Sequence, residues 1–298
     1  MKILLTGVTG QVGWELQRTL MTLGEVIPVG RNVTNTSLRM DLAQPDTIRR
    51  VIREVEPDLI VNPAAYTAVD KAESEPELAM MVNGIAPGVI AEEAKRLGAA
   101  MVHYSTDYVF DGTSQVPYRE SDLTNPQNVY GETKLAGEKA IQAVGVPHLI
   151  FRTSWVYGMR GKNFLLTMLR LGKEREELRV VDDQVGAPTW CRMIAEATAQ
   201  VLSGNRGNVS DFLVEKGGLY NLTASGKTSW CGFARAIFEN DVRERKLQRL
   251  VGISTDEYPT AAKRPGFSLL DGGKLAETFG LVLPDWERCL ELAMGARN

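Results

Sequence analysis

Residues 2–13 read KILLTGVTGQVG, an apolar run that ends in a loop with three glycines. The run predicts a buried strand, and apolar residues recur at helical spacing directly after the loop. Gly7, Gly10 and Gly13 therefore stand between a strand and a helix. Glycines in this position allow a pyrophosphate to reach the backbone N–H groups of the helix N-terminus, so the stretch predicts a dinucleotide-binding fold.

Short apolar runs alternate with helical patterns through the rest of the N-terminal half. We expect one helix around residues 77–97, and further strands at VIPVG (26–30), DLIVN (58–62), AAMVHYS (99–105) and HLIFRTS (148–154). Strands that alternate with helices imply βαβ units and a parallel sheet with both faces covered. We therefore expect an α/β fold with a doubly wound parallel sheet of the Rossmann type.

The length of 298 residues favours two domains, because chains of this size tend not to form a single hydrophobic core. After residue 155 the alternation of strands and helices becomes less regular. We expect a dinucleotide-binding domain over residues 1–154 and a second, smaller α/β domain, mainly for substrate binding, over residues 155–298. Segments around 186–206 and 220–242 are expected to return to the first domain.

Composition argues against several kinds of partner and site. The net charge is −3 without a block of one sign, which gives no indication of a nucleic-acid or membrane surface. No apolar run approaches transmembrane length, and the N-terminus reads as a first strand rather than a signal peptide. Three scattered cysteines and two histidines favour free thiols in a reducing cytoplasm and predict no zinc site.

A phenol and an ammonium stand four positions apart at Tyr130 and Lys134, within the stretch NVYGETKLAGE (128–138). On a helix this spacing places both on one face, where Lys134 can stabilise a phenolate whose ordinary pKa is about 10. Alone, the pattern is also typical of a buried tyrosine beside an exposed lysine. The glycine loop favours catalysis, and so does STD (105–107), since ligands bind at the carboxyl ends of parallel strands. Thr106 would offer its hydroxyl to the same substrate oxygen.

Several longer motifs resemble those of the dTDP-4-dehydrorhamnose reductases, a family of extended short-chain dehydrogenases/reductases. The motifs are GVTGQVG, NPAAYTAVDKAE, YSTDYVFDG, NPQNVYGETKLAGE, RTSWVYG, GKNF, VVDDQVGAPT and the KRP segment near the C-terminus, so the resemblance covers nearly the whole chain. It implies an oxidoreductase that uses NADPH to reduce the C4 keto group of dTDP-4-dehydro-L-rhamnose. The product would be dTDP-L-rhamnose, for rhamnose-containing polysaccharide.

The resemblance also implies roles for individual residues. Tyr130 would protonate the forming alkoxide, Lys134 would tune Tyr130 and bind the nicotinamide ribose, and Thr106 would bind the carbonyl oxygen or the Tyr130 hydroxyl. The substrate would be bound by Thr106, Asp107, Trp155 and Asn163. The cofactor would be bound by Gly7, Gly10, Gln11, Val12, Gly13, Arg31, Asp41, Leu42, Ala65, Tyr66, Thr67, Tyr130 and Lys134.

Four of these positions also have an ordinary structural explanation. Asp107 is explained equally as a cap at a strand end, and Trp155 as an aromatic residue of the core. Asn163 is a suitable cap for the helix that begins NFLL. Asp41 is typical of a turn.

The end of the second predicted strand bears on the choice of cofactor. Enzymes that select NAD usually carry an acidic residue there, which binds the ribose 2′-hydroxyl. Here Gly30 is followed by Arg31, whose guanidinium can pair with the 2′-phosphate of NADPH. We predict NADPH, with NADH also accepted; a solvated surface arginine is the alternative.

Related enzymes and a non-catalytic protein are the alternatives to this reductase. Sugar-nucleotide 4,6-dehydratases carry a glutamate where this chain has Tyr108, which cannot supply the base for the C5 proton. Epimerases share the Tyr–Lys pair, and the regulatory subunit of methionine adenosyltransferase resembles these reductases but acts as a binding partner.

Some family members hold Mg²⁺ at a dimer interface through acidic residues. Glu15 lies in the first predicted helix, and Glu287 and Glu291 lie near the last. Exposed glutamates on helices are ordinary, so we assign no metal site, and Mg²⁺ and a homodimer stay open.

Overall fold

The computed structural model describes residues 1–204 and 207–295. Its strands are β1 (Lys2–Leu5), β2 (Glu25–Pro28), β3 (Leu59–Asn62), β4 (Ala100–Thr106), β5 (His148–Thr153), β6 (Val156–Tyr157), β7 (Glu177–Val181), β8 (Val185–Gly186), β9 (Thr189–Trp190), β10 (Gly218–Asn221), β11 (Thr228–Ser229) and β12 (Arg249–Ile253). Its α-helices are α1 (Gln11–Leu20), α2 (Pro45–Val55), α3 (Val69–Ala72), α4 (Pro76–Met80), α5 (Ala86–Leu97), α6 (Val129–Val144), α7 (Phe164–Glu174), α8 (Cys191–Ser203), α9 (Val209–Lys216), α10 (Trp230–Asn240), α11 (Gly273–Phe279) and α12 (Trp286–Gly295). Short 3₁₀ turns occupy Thr36–Leu38, Asp107–Val109 and Thr255–Glu257.

Six parallel strands form the central sheet, in the order β10–β5–β4–β3–β1–β2. Ile3 of β1 is in register with Val26 of β2 on one side and with Leu59 of β3 on the other. The chain therefore runs outward from β1 in both directions, and a crevice opens at the carboxyl ends of β1 and β3. Open α/β sheets bind ligands at such a switch point. The doubly wound parallel sheet expected from the sequence is confirmed.

Helices cover both faces of this sheet because successive side chains of each strand point to opposite sides. Leu4 of β1 packs in a cluster with Ile52 of α2 and residues of α5. Ile3 and Leu5 belong to the cluster on the other face, with Leu16 of α1 and residues of α8. Strands buried on both faces read as continuous apolar runs, which is why KILL and LIVN are apolar throughout.

Much of the chain after β5 packs around a separate apolar cluster. β7 pairs with β12 and β6 with β9 in parallel, and β8 pairs with β11 in the antiparallel direction. Leu165 of α7, Phe233 of α10 and Trp286 of α12 lie in this cluster. β10 instead extends the central sheet beside β5, and the Thr19 hydroxyl of α1 donates to the Ala195 carbonyl of α8 at 3.2 Å. Residues 205–206, which belong to a segment expected to return to the first domain, lie outside the described residues.

The helix expected around residues 77–97 is interrupted. It consists of α4, a π-helical turn at Met81–Ile85, and α5. Pro87 has no N–H group to donate to the Asn83 carbonyl, so the regular helical bonding fails at this point. π-Helical turns occur often at functional sites, and this one contains the buried side chain of Asn83.

Two further features bear on the sequence predictions. No helix within residues 1–204 and 207–295 combines the length and apolar character needed to cross a membrane. Cys191, Cys231 and Cys289 are buried and free, as their spacing predicted. Burial raises the pKa of the Cys191 thiol to about 12 and that of Cys289 to about 11, so both remain protonated near neutral pH.

Candidate active site

The glycine loop follows β1 and leads into α1. Gly7 has a φ of 59°, in the left-handed region that favours glycine. A Cβ atom on Gly13 would lie 2.1 Å from the Gly7 carbonyl oxygen, so only glycine permits this close approach. Gly10 is the N-cap of α1 and provides no side-chain cap. The first N–H groups of α1 are therefore left for a ligand at its positive end, which suits a pyrophosphate.

Gln11 and Val12 begin α1 and link the loop to the C-terminal half. The Gln11 amide donates to the Val156 carbonyl at 3.4 Å and accepts from Asn163 at 2.8 Å. Val12 is partly buried and packs against the apolar clusters on both sides of it. These contacts hold the glycine loop against the segment that follows β5.

The residues expected to choose the cofactor lie at the end of β2. A Cβ atom on Gly30 would meet nothing within 4 Å, so the space beside it is open. Arg31 is exposed. The backbone of Arg39 pairs with that of Gly30 in a parallel bridge, which brings a second arginine to this place. The sequence analysis did not single out Arg39.

Asp41 and Leu42 follow this bridge. The Asp41 carboxylate accepts from the Ala43 N–H at 3.0 Å, and the Thr47 hydroxyl binds the Asp41 backbone. Asp41 thus has the turn role that the sequence offered as its alternative. Leu42 is 9% exposed and packs in the same apolar cluster as the buried residues of α2.

Residues 63–68 follow β3, and Asn83 fixes their position. The Asn83 side chain accepts from the Tyr66 N–H at 2.8 Å and donates to the Tyr66 carbonyl at 3.0 Å. It also lies 3.3 Å from the Thr133 hydroxyl of α6. Ala65 is partly buried and Thr67 is exposed. Asn83 therefore ties the segment expected near the nicotinamide to the helix that carries Tyr130, a role the sequence analysis missed.

Thr106 and Tyr130 come together where β4 ends and α6 begins. The Thr106 hydroxyl donates to Asp107 Oδ1 at 2.9 Å and accepts from the Tyr108 N–H at 3.2 Å, and the Tyr108 ring lies against that of Tyr130. Burial of the phenol raises the pKa of Tyr130 to about 12, and the Thr106 hydrogen bond opposes that rise. Without a ligand, Tyr130 is therefore a neutral phenol that holds a proton to give.

Lys134 lies inside the protein, one helical turn after Tyr130. Its side chain is 2% exposed, which excludes the alternative of a solvated surface lysine. Nζ donates to the Tyr104 carbonyl oxygen at 2.5 Å and lies 3.3 Å from His103 Nε2. Burial lowers the pKa of Lys134 to about 8, and the charge of Glu138 acts in the opposite direction. Lys134 is thus close to half protonated near pH 8.

A chain of buried polar side chains extends behind Lys134. His103 Nδ1 lies 3.2 Å from the Asn62 amide nitrogen, and the Thr6 hydroxyl donates to Asn62 Oδ1 at 2.6 Å. All three side chains are buried, with exposures of 2% or less. The sequence does contain a signal for them, because each is a polar residue within or beside an otherwise apolar strand.

Asp107 is buried at the start of the 3₁₀ turn after β4. Burial raises the pKa of its carboxyl to about 6, against hydrogen bonds that favour the charged form. Within the described residues, Oδ2 is buried and has no well-formed hydrogen bond. Oδ1 binds Thr106 as the strand-end explanation requires, and the Ser268 hydroxyl also lowers the pKa of the carboxyl.

The KRP segment reaches the same place from the C-terminal half. Arg264 donates to Asp70 Oδ2 at 2.7 Å, and the Ala262 N–H donates to Asp70 Oδ1 at 3.1 Å. The charge of Arg264 lowers the pKa of Tyr108, although burial raises it more. The Tyr108 ring in turn lies edge-on to Tyr130, with 5.6 Å between the ring centroids. Arg264 itself was not predicted from the sequence, although the KRP segment was.

Trp155 lies after β5 with a φ of 45°, an uncommon conformation for a residue other than glycine. Its ring stacks on that of Trp230, with 3.6 Å between centroids and an angle of 6°. Gly186 also lies against the indole, since a Cβ atom there would come within 2.6 Å of the ring. Trp155 thus has the aromatic packing that was its structural alternative, although the residue stays partly exposed.

Asn163 is the N-cap of α7. Its side-chain oxygen accepts from the Leu166 N–H at 3.0 Å, as expected of a cap. The side-chain nitrogen donates to Gln11 Oε1 and to the Gly158 carbonyl, both at 2.8 Å. Both ends of the Asn163 amide are therefore engaged by the protein.

The acidic residues considered for Mg²⁺ do not form one cluster. The Glu15 carboxylate lies 3.0 Å from Arg18 and 3.3 Å from Arg192, and Glu291 pairs with Arg288 at 2.7 Å. The Glu287 N–H donates to Asp285. Within the described ranges, no group of three or more metal-ligating side chains could hold a metal ion.

Comparison with known proteins assigns the family. The family model described as the RmlD substrate binding domain matches residues 1–297. The dTDP-4-dehydrorhamnose reductase of Burkholderia thailandensis is 49% identical over 99% of this chain and 98% of its own. The structure of a dTDP-4-dehydrorhamnose reductase from Clostridium acetobutylicum has a TM-score of 0.90 and 36% identity over 100% of this chain and 99% of that one. The Bacillus anthracis enzyme in complex with NADP has a TM-score of 0.89 and 34% identity over 99% of both chains. The chain belongs to the dTDP-4-dehydrorhamnose reductase family.

Proposed function

We propose that this protein reduces the C4 keto group of dTDP-4-dehydro-L-rhamnose with NADPH and so forms dTDP-L-rhamnose, for rhamnose-containing polysaccharide. The relatives are named for this reaction, and one of them is described with NADP. The observation that carries the proposal is the position of Tyr130 one helical turn before the buried Lys134 on α6, with its ring against Tyr108 in the turn that Thr106 caps. Tyr130, Thr106 and Lys134 supply a proton donor, a hydrogen bond and a positive charge at the carboxyl end of β4.

NADPH, when bound, supplies the hydride. Thr106 hydrogen-bonds the substrate carbonyl oxygen or the Tyr130 hydroxyl and so fixes their distance. Tyr130 gives its proton to the oxygen as negative charge develops there. Lys134 favours the phenolate that remains, because an opposite charge nearby lowers the pKa of a phenol. The proton on Tyr130 is then restored from solvent.

The cofactor fits the N-terminal half of the site. The uncapped start of α1 and the close-packed glycines receive the pyrophosphate. Arg31 pairs with the 2′-phosphate, with open space beside Gly30 for the ribose. NADH would bind without this pairing, so it is accepted with lower affinity. Residues 65–67 would hold the nicotinamide, and Asp41 with Leu42 would hold the adenine.

The substrate lies between the sheet and the C-terminal half. Asp107 Oδ2 accepts from a sugar hydroxyl, and Trp155 and Asn163 border the nucleotide and its phosphates. In this proposal the cofactor domain consists of residues 1–154 with segments around 186–206 and 220–242, and the rest of residues 155–298 forms mainly the substrate domain. The packing of α8 and the pairing of β10 with β5 support the return of parts of these segments. Free buried thiols and a charged nucleotide-sugar substrate favour a cytoplasmic enzyme. Light scattering tests whether the protein is a homodimer. Activity measured after chelation tests whether it requires Mg²⁺.

The test mixes the protein with NADPH and dTDP-4-dehydro-L-rhamnose made in situ. We expect NADPH absorbance to fall in proportion to the product, with NMR identifying dTDP-L-rhamnose. An epimerase would change the sugar without net oxidation of NADPH. A regulatory subunit would do neither. Either of these results would contradict the proposed reduction.

A further inference from the structure

Lys134 lies between a carbonyl oxygen and an imidazole ring in the protein interior. Its Nζ is 2.5 Å from the Tyr104 oxygen and 3.3 Å from His103 Nε2. An ammonium has donors and no lone pair, so a charged Lys134 needs an acceptor at both places. Nε2 is an acceptor only when the ring proton is on Nδ1. The charge of the lysine and the tautomer of the histidine are therefore linked by geometry.

The partners of His103 allow both tautomers. A side-chain amide presents its oxygen or its nitrogen depending on how it is turned, and a hydroxyl donates or accepts. Beside a charged lysine, Nζ donates to His103 Nε2, Nδ1–H donates to the Asn62 oxygen, and the Asn62 nitrogen donates to Thr6. Beside a neutral lysine each of these hydrogen bonds has the opposite direction: Nε2–H donates to Nζ, the Asn62 nitrogen donates to Nδ1, and the Thr6 hydroxyl donates to the Asn62 oxygen. The Asn62 amide has the orientation of the second arrangement, with its oxygen toward Thr6 and its nitrogen toward His103.

We propose that His103 is a positioning residue for Lys134 whose tautomer follows the charge of the lysine, Nδ1–H beside the ammonium and Nε2–H beside the amine. The ring stays neutral in both states. When the ammonium becomes an amine, Lys134 loses one proton to solvent. The ring proton moves from Nδ1 to Nε2, and the Asn62 amide rotates so that its oxygen and nitrogen exchange places. The catalytic meaning of this switch rests on the proposed function, because the reductase uses the charged form of Lys134.

The other charged groups around α6 do not replace His103. Glu138 raises the pKa of Lys134, but its oxygens accept from Arg152 of β5 at 2.9 and 2.7 Å. Asp107 and Tyr108, on the turn after β4, act on Tyr130 or lie against it. Other titratable groups on elements packed against α6 bind elsewhere: Glu73 with the Val129 N–H, Glu75 with Lys71 and Tyr66, and Lys95 with the Val144 carbonyl.

Burial agrees with a neutral imidazole. Desolvation and the charge of Lys134 hold the pKa of His103 well below its usual range. An imidazolium beside the ammonium would place two positive charges 3.3 Å apart in a buried site. His103 is therefore suited to accept from a cation without competing with it for charge.

Nitrogen NMR of the protein without substrate tests the tautomer directly. The chain has two histidines, so ¹⁵N-histidine spectra contain only His103 and His148, and His148→Gln assigns them. Between about pH 6 and about pH 10 we expect His103 to stay neutral and to change from Nδ1–H to Nε2–H near the Lys134 pKa of about 8. In Lys134→Met the change should vanish. One tautomer throughout in the wild type, or an imidazolium signal, would overturn the proposal.

Kinetics test whether the contact matters for the reaction. His103→Gln keeps an oxygen that can accept from Lys134, His103→Leu keeps none, and His148→Gln is the same substitution away from the site. We expect His103→Leu to lower kcat about tenfold, the scale of one hydrogen bond to a charged group. The alkaline limb of its pH–rate profile should move about one unit to lower pH. The alkaline limb of NADPH binding, followed by fluorescence, should move by the same amount. His103→Gln should keep most of the wild-type kcat and an alkaline limb close to that of the wild type.

The outcomes separate the two proposals. Unchanged alkaline limbs in His103→Leu, or equal losses in the Leu and Gln variants at every pH, would overturn the positioning role. If His103→Leu does not fold, the profile of His103→Gln and the wild-type spectra still decide. A wild-type protein that leaves NADPH unoxidised with the sugar nucleotide would contradict the proposed function, while the tautomer change would stand or fall on the spectra alone.

Discussion

The start of α6 and the aromatic stack of Trp155 both follow strands of the central sheet, but their side chains are satisfied to different degrees. Around α6, Tyr130 holds a proton and Asp107 Oδ2 has no well-formed bond within the described residues. Beyond β5, Trp155 stacks on Trp230 and both ends of Asn163 bind the protein. The catalytic side is thus arranged for a ligand in advance. The substrate side has protein contacts that a ligand must exchange or leave in place.

This contrast leads us to expect the largest mutational effect at Tyr130. Tyr130→Phe removes one hydroxyl from a site that is otherwise complete, so folding and NADPH binding should persist. Turnover should fall by roughly 10²–10⁴, the usual contribution of a positioned acid–base group. Stopped-flow measurement of NADPH oxidation gives the value. Tyr220→Phe in β10, which loses a hydroxyl bonded to the Lys216 carbonyl of α9, is the matched control. Near-normal turnover in Tyr130→Phe would mean that Tyr130 is not the proton donor, and the start of α6 would then not be the catalytic side of the site.

A smaller loss, with a different signature, is expected at Lys134. Lys134→Met keeps the stem and removes the charge, so the alkaline limb that Lys134 sets should disappear and the pKa of Tyr130 should rise. Together these changes should extend the pH–rate profile to higher pH. We expect turnover to fall about 10- to 10²-fold, since one unit of pKa is a factor of ten. Lys95→Met is the control: Lys95 lies on α5, and its Nζ donates to the Val144 carbonyl at the C-terminal end of α6. An unchanged profile would show that Lys134 does not tune Tyr130.

The same variant should not lose stability. The pKa of Lys134 falls from the usual 10.5 to about 8 on folding, so the unfolded chain binds the proton more tightly. The charged lysine therefore opposes folding below about pH 8, and this cost disappears as the pH rises to about 10.5. Lys134→Met has no charge to bury, and its Tm near neutral pH should equal or exceed that of the wild type. A marked fall in Tm would mean that the Tyr104 contact outweighs the burial of charge.

The two sides also differ in how far the sequence predicts them. The glycine loop and the pair Tyr130–Lys134 were predicted because their residues stand close in the chain, where helical spacing determines the geometry. Thr106 was added because parallel strands end at one edge of the sheet. The stack of Trp155 on Trp230 depends on how distant segments pack, which spacing does not encode.

Buried polar residues were the other omission. His103 and Asn62 are polar residues within mostly apolar strands, and Asn83 lies in the π-helical turn that divides the helix expected around residues 77–97. Their partners lie on other elements, so the sequence shows that each needs a hydrogen bond and does not show with what. Arg264 reaches Asp70 from the far end of the chain for the same reason.

Substitution of Arg31 should change cofactor preference less than the substitutions of Tyr130 and Lys134 change turnover, because Arg31 is exposed. A charge-assisted hydrogen bond contributes about 1.5–3 kcal/mol, and screening by solvent favours the low end. Arg31→Ala should therefore raise KM for NADPH about tenfold and leave KM for NADH nearly unchanged. Gly30→Asp should go further toward NADH, since a carboxylate binds the 2′-hydroxyl and repels the phosphate.

Arg39 and Arg49 make this cofactor test specific. The Arg39 backbone pairs with Gly30, so Arg39→Ala asks whether the second arginine reads the phosphate instead. Arg49, which lies on α2 near Asp46, is a control of equal charge change. Values of kcat/KM for both cofactors at low and moderate salt decide the matter. Equal weakening of NADH and NADPH in Arg31→Ala would contradict its assignment.

The smallest effect on catalysis is expected at Asn163, where the protein already occupies both ends of the amide. Asn163→Ala removes the cap of α7 and should cost about 1 kcal/mol of unfolding free energy. Asn208→Ala removes the cap of α9, whose oxygen accepts from the Ser210 N–H at 2.8 Å, and is the matched control for stability alone. Because Asn163 Nδ2 donates to Gln11 and Gly158, we expect KM for the sugar nucleotide to rise only about two- to threefold, and KM for NADPH to change by no more. A rise of tenfold or more for the sugar nucleotide, absent in Asn208→Ala, would mean that Asn163 leaves its protein partners to hold the substrate phosphates. The substrate side would then contribute binding energy as directly as the catalytic side, and the contrast between them would be one of timing rather than of strength.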